Sequence, residues 1–123
     1  MRKTALECVH RLAQHDKRVL FIGSDLGHGV LDKMKNELPD QFFMEGVSEQ
    51  YIIGMAAGLA MEGFIPYLNT IGTFFIRRAY EQIAIDVALK NAPVPEVEGV
   101  TAYPKTGPPL LCSVPNTVKA PAV

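Results

Sequence analysis

The chain has 123 residues, a formal net charge of −1 and 48% hydrophobic side chains, which bounds it to one domain at most, large enough for a real core. Its Lys and Arg residues are scattered rather than striped, which argues against binding nucleic acid or an anionic membrane through a basic face. Its two cysteines, Cys8 and Cys112, make neither a disulfide framework nor a metal set, and Cys8 is expected as a reduced core residue on the apolar face of a helix.

Leu6, Val9, Leu12 and Ala13 recur at helical spacing and predict an amphipathic helix over residues 2–16. Residues 18–23 form a continuous apolar run ending in Gly23, the form of a strand buried on both faces. A turn over 24–29 leads to a short helix over 30–38, stopped by Pro39, and 41–45 reads as a second strand. Ser48 is placed to cap a helix that runs to Met61 and ends at Gly63. Residues 65–70 read as a third strand, with Pro66 at its start, where a missing N–H costs little. A single last helix is predicted over 74–91, ended by Pro93.

Helices and strands alternate at intervals that require crossover connections, so the expected fold class is α/β with a partial doubly wound parallel sheet. The most apolar stretch, 51–68, is broken by Glu62, Gly63 and Pro66 and is a buried helix plus a strand, not a membrane span. Residues 1–94 are expected to form the domain. Residues 95–123 hold six of the nine prolines and four charged residues, and are expected to form an irregular Pro-rich tail. No signal peptide is apparent ahead of the first helix, so the expectation is a soluble cytoplasmic protein.

The residue most suggestive of chemistry is Glu49, set at the mouth of a strand–turn–helix unit ahead of an otherwise apolar helix. Low dielectric there would raise its proton affinity and let it share a proton with a ligand nitrogen; a plain first-turn Glu complementing the helix dipole is the bland alternative. Gly54 and Gly58, four apart on the same helix, allow close backbone approach. Residues 70–82 (Thr-Ile-Gly-Thr-Phe-Phe-Ile-Arg-Arg-Ala-Tyr-Glu-Gln) place aromatics at a strand's carboxyl end, where open α/β sheets bind ligands. His10 and His15, on or near the first helix, have no sequence partners that suggest a metal.

Four segments, in order and spacing, resemble the pyrimidine domain of transketolases and deoxyxylulose-phosphate synthases. They are Asp25 in Gly-Ser-Asp-Leu-Gly, Glu49 in Gly-Val-Ser-Glu-Gln, Ala56-Ala-Gly-Leu-Ala with Glu62-Gly, and Phe74 through Gln82. The resemblance covers roughly residues 1–94. It implies the thiamine diphosphate-binding fold and a role for Glu49 in hydrogen-bonding N1′ of the cofactor's aminopyrimidine, so that general acid–base catalysis is relayed through the cofactor. It implies that Phe74 stacks on that ring, with Phe75 the alternative if a one-residue gap falls near Arg77. Ile71 stands where many relatives have a second aromatic; Tyr80 would line the pocket or, by preference, pack. Asp25 matches an Asp near the thiazolium edge, although Asp is also a common turn residue. His28 in the same loop and Arg77 are candidate substrate contacts, Arg77 and Arg78 being a cationic pair that could meet a sugar phosphate.

The family holds the diphosphate through a metal bound by a Gly-Asp-Gly segment and a later Asn on another domain, and no Gly-Asp-Gly occurs in this sequence. The Mg2+ is therefore expected on a partner chain, with Met1 where the second chain of a split member would start and a site formed between chains of a dimer. The expected activity is transfer of a two-carbon ketol unit between sugar phosphates, as a fragment or subunit inactive alone. The alternatives are a non-catalytic remnant or a small nucleotide-binding module. The last rests on the glycines at 23, 27 and 29 and the acid Glu45 ending the next strand, whose spacing does not match Gly-x-Gly-x-x-Gly.

Overall fold

The computed structural model describes residues 2–24, 29 and 31–94. The expected turn beyond Ser24, apart from Gly29, and the expected tail over 95–123 lie outside them. In chain order the elements are α1 (Arg2–His15), β1 (Val19–Gly23), α2 (Asp32–Glu37), a 3₁₀ turn (Pro39–Gln41), β2 (Phe42–Met44), α3 (Glu49–Met61), β3 (Ile65–Asn69), α4 (Gly72–Arg78) and α5 (Tyr80–Gln82), which continues into a π-helical segment, Ile83–Ala88.

The three strands form one parallel sheet in the order β2-β1-β3. β1 is the central strand and all five of its residues are buried, which is why its sequence is a run of apolar residues instead of an alternation. Phe21 pairs in register with Phe42 and with Tyr67, and the Phe21 and Phe42 rings stack at 5.3 Å, a contact worth about 1 kcal/mol beyond the area it buries.

Side-chain alternation along the strands divides the interior in two. Val19 and Phe21 pack with Leu6, Val9 and Ala13 of α1 and with Leu31 and Met34. Ile22 and Leu68 pack on the opposite side with Ile52, Ile53, Ala56 and Ala57 of α3 and with Phe75, Ala79, Ile83 and Val87. The α/β class and the helix-covered parallel sheet expected from the pattern are thus what the chain builds. Among the described residues, no helix is long and apolar enough to cross a membrane.

Local details depart from the expectations for physical reasons. Gln41, expected in a strand, ends the 3₁₀ turn with its side chain buried, and its amide donates to the carbonyls of Ala13 (3.1 Å), Asp16 (3.1 Å) and Val19 (2.7 Å). It thereby ties the last turn of α1, through Ala13, to the start of β1, through Val19. Ser48 occupies the N-cap of α3 without a capping bond; its hydroxyl donates instead to the Glu45 carbonyl at 2.7 Å. Gly63 takes φ +88°, and the N–H groups of Gly63 and Phe64 donate to the carbonyls of Ala60 and Leu59, so α3 ends on the left-handed glycine anticipated. Cys8 is only partly buried and accepts a hydrogen bond from Arg11 at 3.1 Å; it is not a core residue.

The single helix expected over 74–91 is interrupted. Ala79 leaves helical geometry (φ −120°, ψ 20°), and beyond it the N–H groups of Leu89 and Ala92 reach back five residues, to Ala84 and Val87. Phe75, Ala79, Ile83 and Val87 all enter one core, yet they are spaced by four. On a straight α-helix such a row drifts about 40° per step. A break at Ala79 and the wider π turn bring the row back toward the sheet.

Candidate functional site

The carboxyl ends of β1 and β3 carry the buried polar residues Ser24, Asn69 and Thr70. Gly23 lies beside them, with room for so little that an added Cβ would meet Met44 Cε and Phe21 Cε1 at 3.0 Å. Ser24 N–H donates to the Asn69 carbonyl at 3.0 Å, extending the β1–β3 pairing by one residue. Against this edge stands the start of α3, whose first residue is Glu49.

Glu49 is 4% exposed. The Ser24 hydroxyl donates to Oε1 at 3.3 Å and Nη1 of Arg78 donates to Oε2 at 3.3 Å. Both carboxylate oxygens therefore hold a donor, one brought by the end of a strand and the other by the end of α4. The same guanidinium lies over the Phe74 ring, 3.9 Å from its centroid. Phe74 and Arg78, four residues apart on α4, share a helix face, so α4 delivers an aromatic plane and a cation to one carboxylate.

Burial is the largest influence on the Glu49 carboxyl and pushes its pKa up. Its own backbone N–H, the hydrogen bond and charge of Arg78, and the Ser24 hydroxyl push the other way and prevail, holding it below the ordinary 4.5. This corrects the expectation of a raised proton affinity: low dielectric is present, but a cation and fixed donors outweigh it. In this state Glu49 is an ionised acceptor.

Other candidates separate. Phe75 is 8% exposed and enters the core, whereas Phe74 carries the Arg78 guanidinium that reaches Glu49. The guanidinium at the carboxylate belongs to Arg78, not to Arg77, which is exposed. The signal for Arg78 was its spacing from Phe74, which a reading of the arginines as a simple pair does not use. Tyr80 is 55% exposed and Ile71 47%, so Tyr80 does not pack as preferred. Asp25 and His28 lie outside the described residues, as does Cys112. Among the described residues, Thr70 Oγ1 is buried without a hydrogen-bond partner, and no cluster of three His, Cys, Asp or Glu side chains could hold a metal ion.

A buried carboxylate held by two donors beside an aromatic face, at the carboxyl edge of a parallel sheet, is a place for a flat ring that offers an N–H. The aminopyrimidine of thiamine diphosphate has both features, and Glu49 and Phe74 fit it.

Known proteins resemble the chain in sequence and in fold. The family described as "Transketolase, pyrimidine binding domain" matches residues 1–103, a span that runs past residue 94. The chain is 42% identical over 85 residues to the 1-deoxy-D-xylulose-5-phosphate synthase of Synechococcus sp. (strain JA-2-3B'a(2-13)), an alignment covering 68% of this chain and 13% of that protein. It is 39% identical over 85 residues to the enzyme of the same name from Clostridium perfringens (strain SM101 / Type A), covering 68% of this chain and 14% of that one. A solved structure described as a split gene transketolase, inactive beta4 tetramer, superimposes with TM-score 0.70 and 27% identity, covering 77% of this chain and 32% of that chain. The chain thus spans a small part of the length of these relatives. With the matched family extending over most of its residues, the chain belongs to the transketolase pyrimidine-binding-domain family.

Proposed function

We propose that this chain supplies the aminopyrimidine half of a thiamine diphosphate site in a transketolase-like enzyme. The reaction would be transfer of a two-carbon ketol unit between sugar phosphates or, following the synthases it is similar to, a related decarboxylative condensation. The observation that carries the reading is Glu49, a carboxylate 4% exposed at the sheet's carboxyl edge beside Phe74.

When bound, the cofactor supplies stabilisation of negative charge developing at a carbonyl carbon. The chain's own residues have simpler tasks. Glu49 holds a proton in common with a ring nitrogen through one carboxylate oxygen, Phe74 fixes the ring plane, and Ser24 keeps the carboxylate from turning. Phe75, Ile52 and Ile53 close the apolar wall behind, keeping the local dielectric low so that the shared proton matters. Asp25 toward the thiazolium edge, and His28 and Arg77 toward a sugar phosphate, belong to this proposal on their sequence positions.

A few hydrogen bonds and one stacked ring, each worth about 1 kcal/mol net, are largely offset by the entropy lost on binding, so this half-site alone holds a pyrimidine only weakly. The diphosphate and Mg2+ are therefore assigned to a partner chain, with the working site formed between chains of a dimer in the cytoplasm and this chain inactive alone. The related beta4 assembly described as inactive supports that division of labour. The test is titration with thiamine diphosphate and Mg2+, with and without a chain carrying a diphosphate-binding domain. Turnover is expected only in the mixture, and Glu49→Ala should abolish it while leaving assembly intact. Full activity of the Glu49→Ala complex would remove Glu49 from the mechanism.

A further inference from the structure

The place assigned to a pyrimidine already contains a flat group. The Arg78 guanidinium carbon is 3.9 Å from the Phe74 centroid, and Nη1 of the same guanidinium is 3.3 Å from Glu49 Oε2. One rigid planar fork makes both contacts, so it lies on the face of Phe74 that looks toward Glu49. A ligand ring that stacks on that face and gives an N–H to that carboxylate needs the same volume. The likeness is also chemical: an aminopyrimidine carrying a proton on the ring nitrogen that meets Glu49 is, like a guanidinium, a flat, delocalised, nitrogen-rich cation with an N–H at its edge.

We propose that Arg78 is a built-in competitor for the pyrimidine half-site and sets its specificity, its guanidinium standing in for the ligand until a flat ring with an N–H at its edge displaces it. The inference rests on the reading of this chain as that half-site. The partners of the exchange are unequally anchored. Arg78 has a side chain 46% exposed and a route into water, whereas Glu49 is 4% exposed and held at Oε1 by Ser24. The arginine leaves and the carboxylate stays. Removing a cation from a buried carboxylate leaves a charge without a partner, which is costly. A newcomer compensates only if it stacks on Phe74 and also donates, or shares, a proton at Oε2. Purely apolar rings fail the second condition and flexible ammonium groups the first, so the arginine excludes both.

The experiment is NMR titration of the full chain with 4-amino-2-methylpyrimidine, following the Phe74 ring and Arg78 Nε signals. The native chain should bind weakly, with the Arg78 signal moving toward its solvent-exposed value. Arg78→Ala should bind roughly five-fold more tightly, in keeping with the loss of one half-exposed ion pair and cation–ring contact, and adding Glu49→Gln should erase that gain. Arg78→Lys keeps the charge but not the flat fork, and should fall between; it replaces the alanine variant if thermal unfolding shows that variant unfolded. Binding by the native chain with equal or weaker binding by a folded Arg78→Ala would overturn the proposal alone, making Arg78 a brace and leaving the half-site standing. No binding by native or variant chains would overturn the competitor proposal, while the half-site reading stands or falls on turnover in the mixed complex.

Discussion

Phe74 and Phe75 are neighbours in sequence and lie on different faces of α4: the ring of Phe75 enters the core with Ile22 and Leu68, while that of Phe74 carries the Arg78 guanidinium at 3.9 Å. Consecutive helical residues point about 100° apart, so the pair is divided between packing and the site. Phe75→Ala should cost about 3–5 kcal/mol of stability, and Phe74→Ala should cost much less while abolishing the stacking surface. Urea denaturation of both variants checks this, and equal losses would refute the division.

The depressed Glu49 pKa has a definite pH signature. A carboxyl whose folded pKa lies below its unfolded value, here below 4.5, contributes stability that is fully present above that unfolded value and is lost as pH falls through the folded pKa. Glu49→Gln should flatten the acid limb of the stability–pH curve below 4.5 and leave its shape near neutrality unchanged. Chemical denaturation across that range is the measurement; an unchanged acid slope would show that Glu49 is not held ionised by Arg78 and Ser24.

Gln41 joins the end of α1 to the start of β1 through three carbonyls. Gln41→Leu preserves bulk but removes the side-chain donor from the Ala13 and Val19 carbonyls, at a cost of about 1–3 kcal/mol. Thermal unfolding should show a drop of roughly 4–8 °C per kcal/mol lost for a domain of this size. Gln41→Glu should be at least as damaging, because a carboxylate brings no donor to those carbonyls.

Gly23 sits where β1 meets the site, and a Cβ there would lie 3.0 Å from both Met44 Cε and Phe21 Cε1. The Met44 tip is flexible and the Phe21 ring, fully buried, is not. Gly23→Val should therefore destabilise by about 1–3 kcal/mol through overpacking. Combining it with Met44→Ala should recover part of the loss, and a double-mutant cycle in urea would detect that coupling.

The structure of the described residues is largely legible in the sequence because its signals are local. The apolar run of β1 announces a strand buried on both faces, Gly63 a left-handed helix end, and the alternation of elements a crossover-connected parallel sheet. Legibility failed where a long-range partner decides. Gln41 reads as strand until its amide meets the carbonyls of Ala13, Asp16 and Val19. A four-residue spacing reads as one straight helix until the core demands that Phe75, Ala79, Ile83 and Val87 face the same way.

The candidate site divides on the same line. Glu49 and Phe74 could be chosen from the order of their motifs, since a carboxylate opening an apolar helix and aromatics after a strand are visible in one dimension. The ionised state of that carboxylate and the choice of Arg78 over Arg77 could not. Proton affinity depends on a contact of 3.3 Å between Arg78 and Glu49, residues 29 positions apart, and only the folding of α3 and α4 onto one sheet edge brings those residues that close.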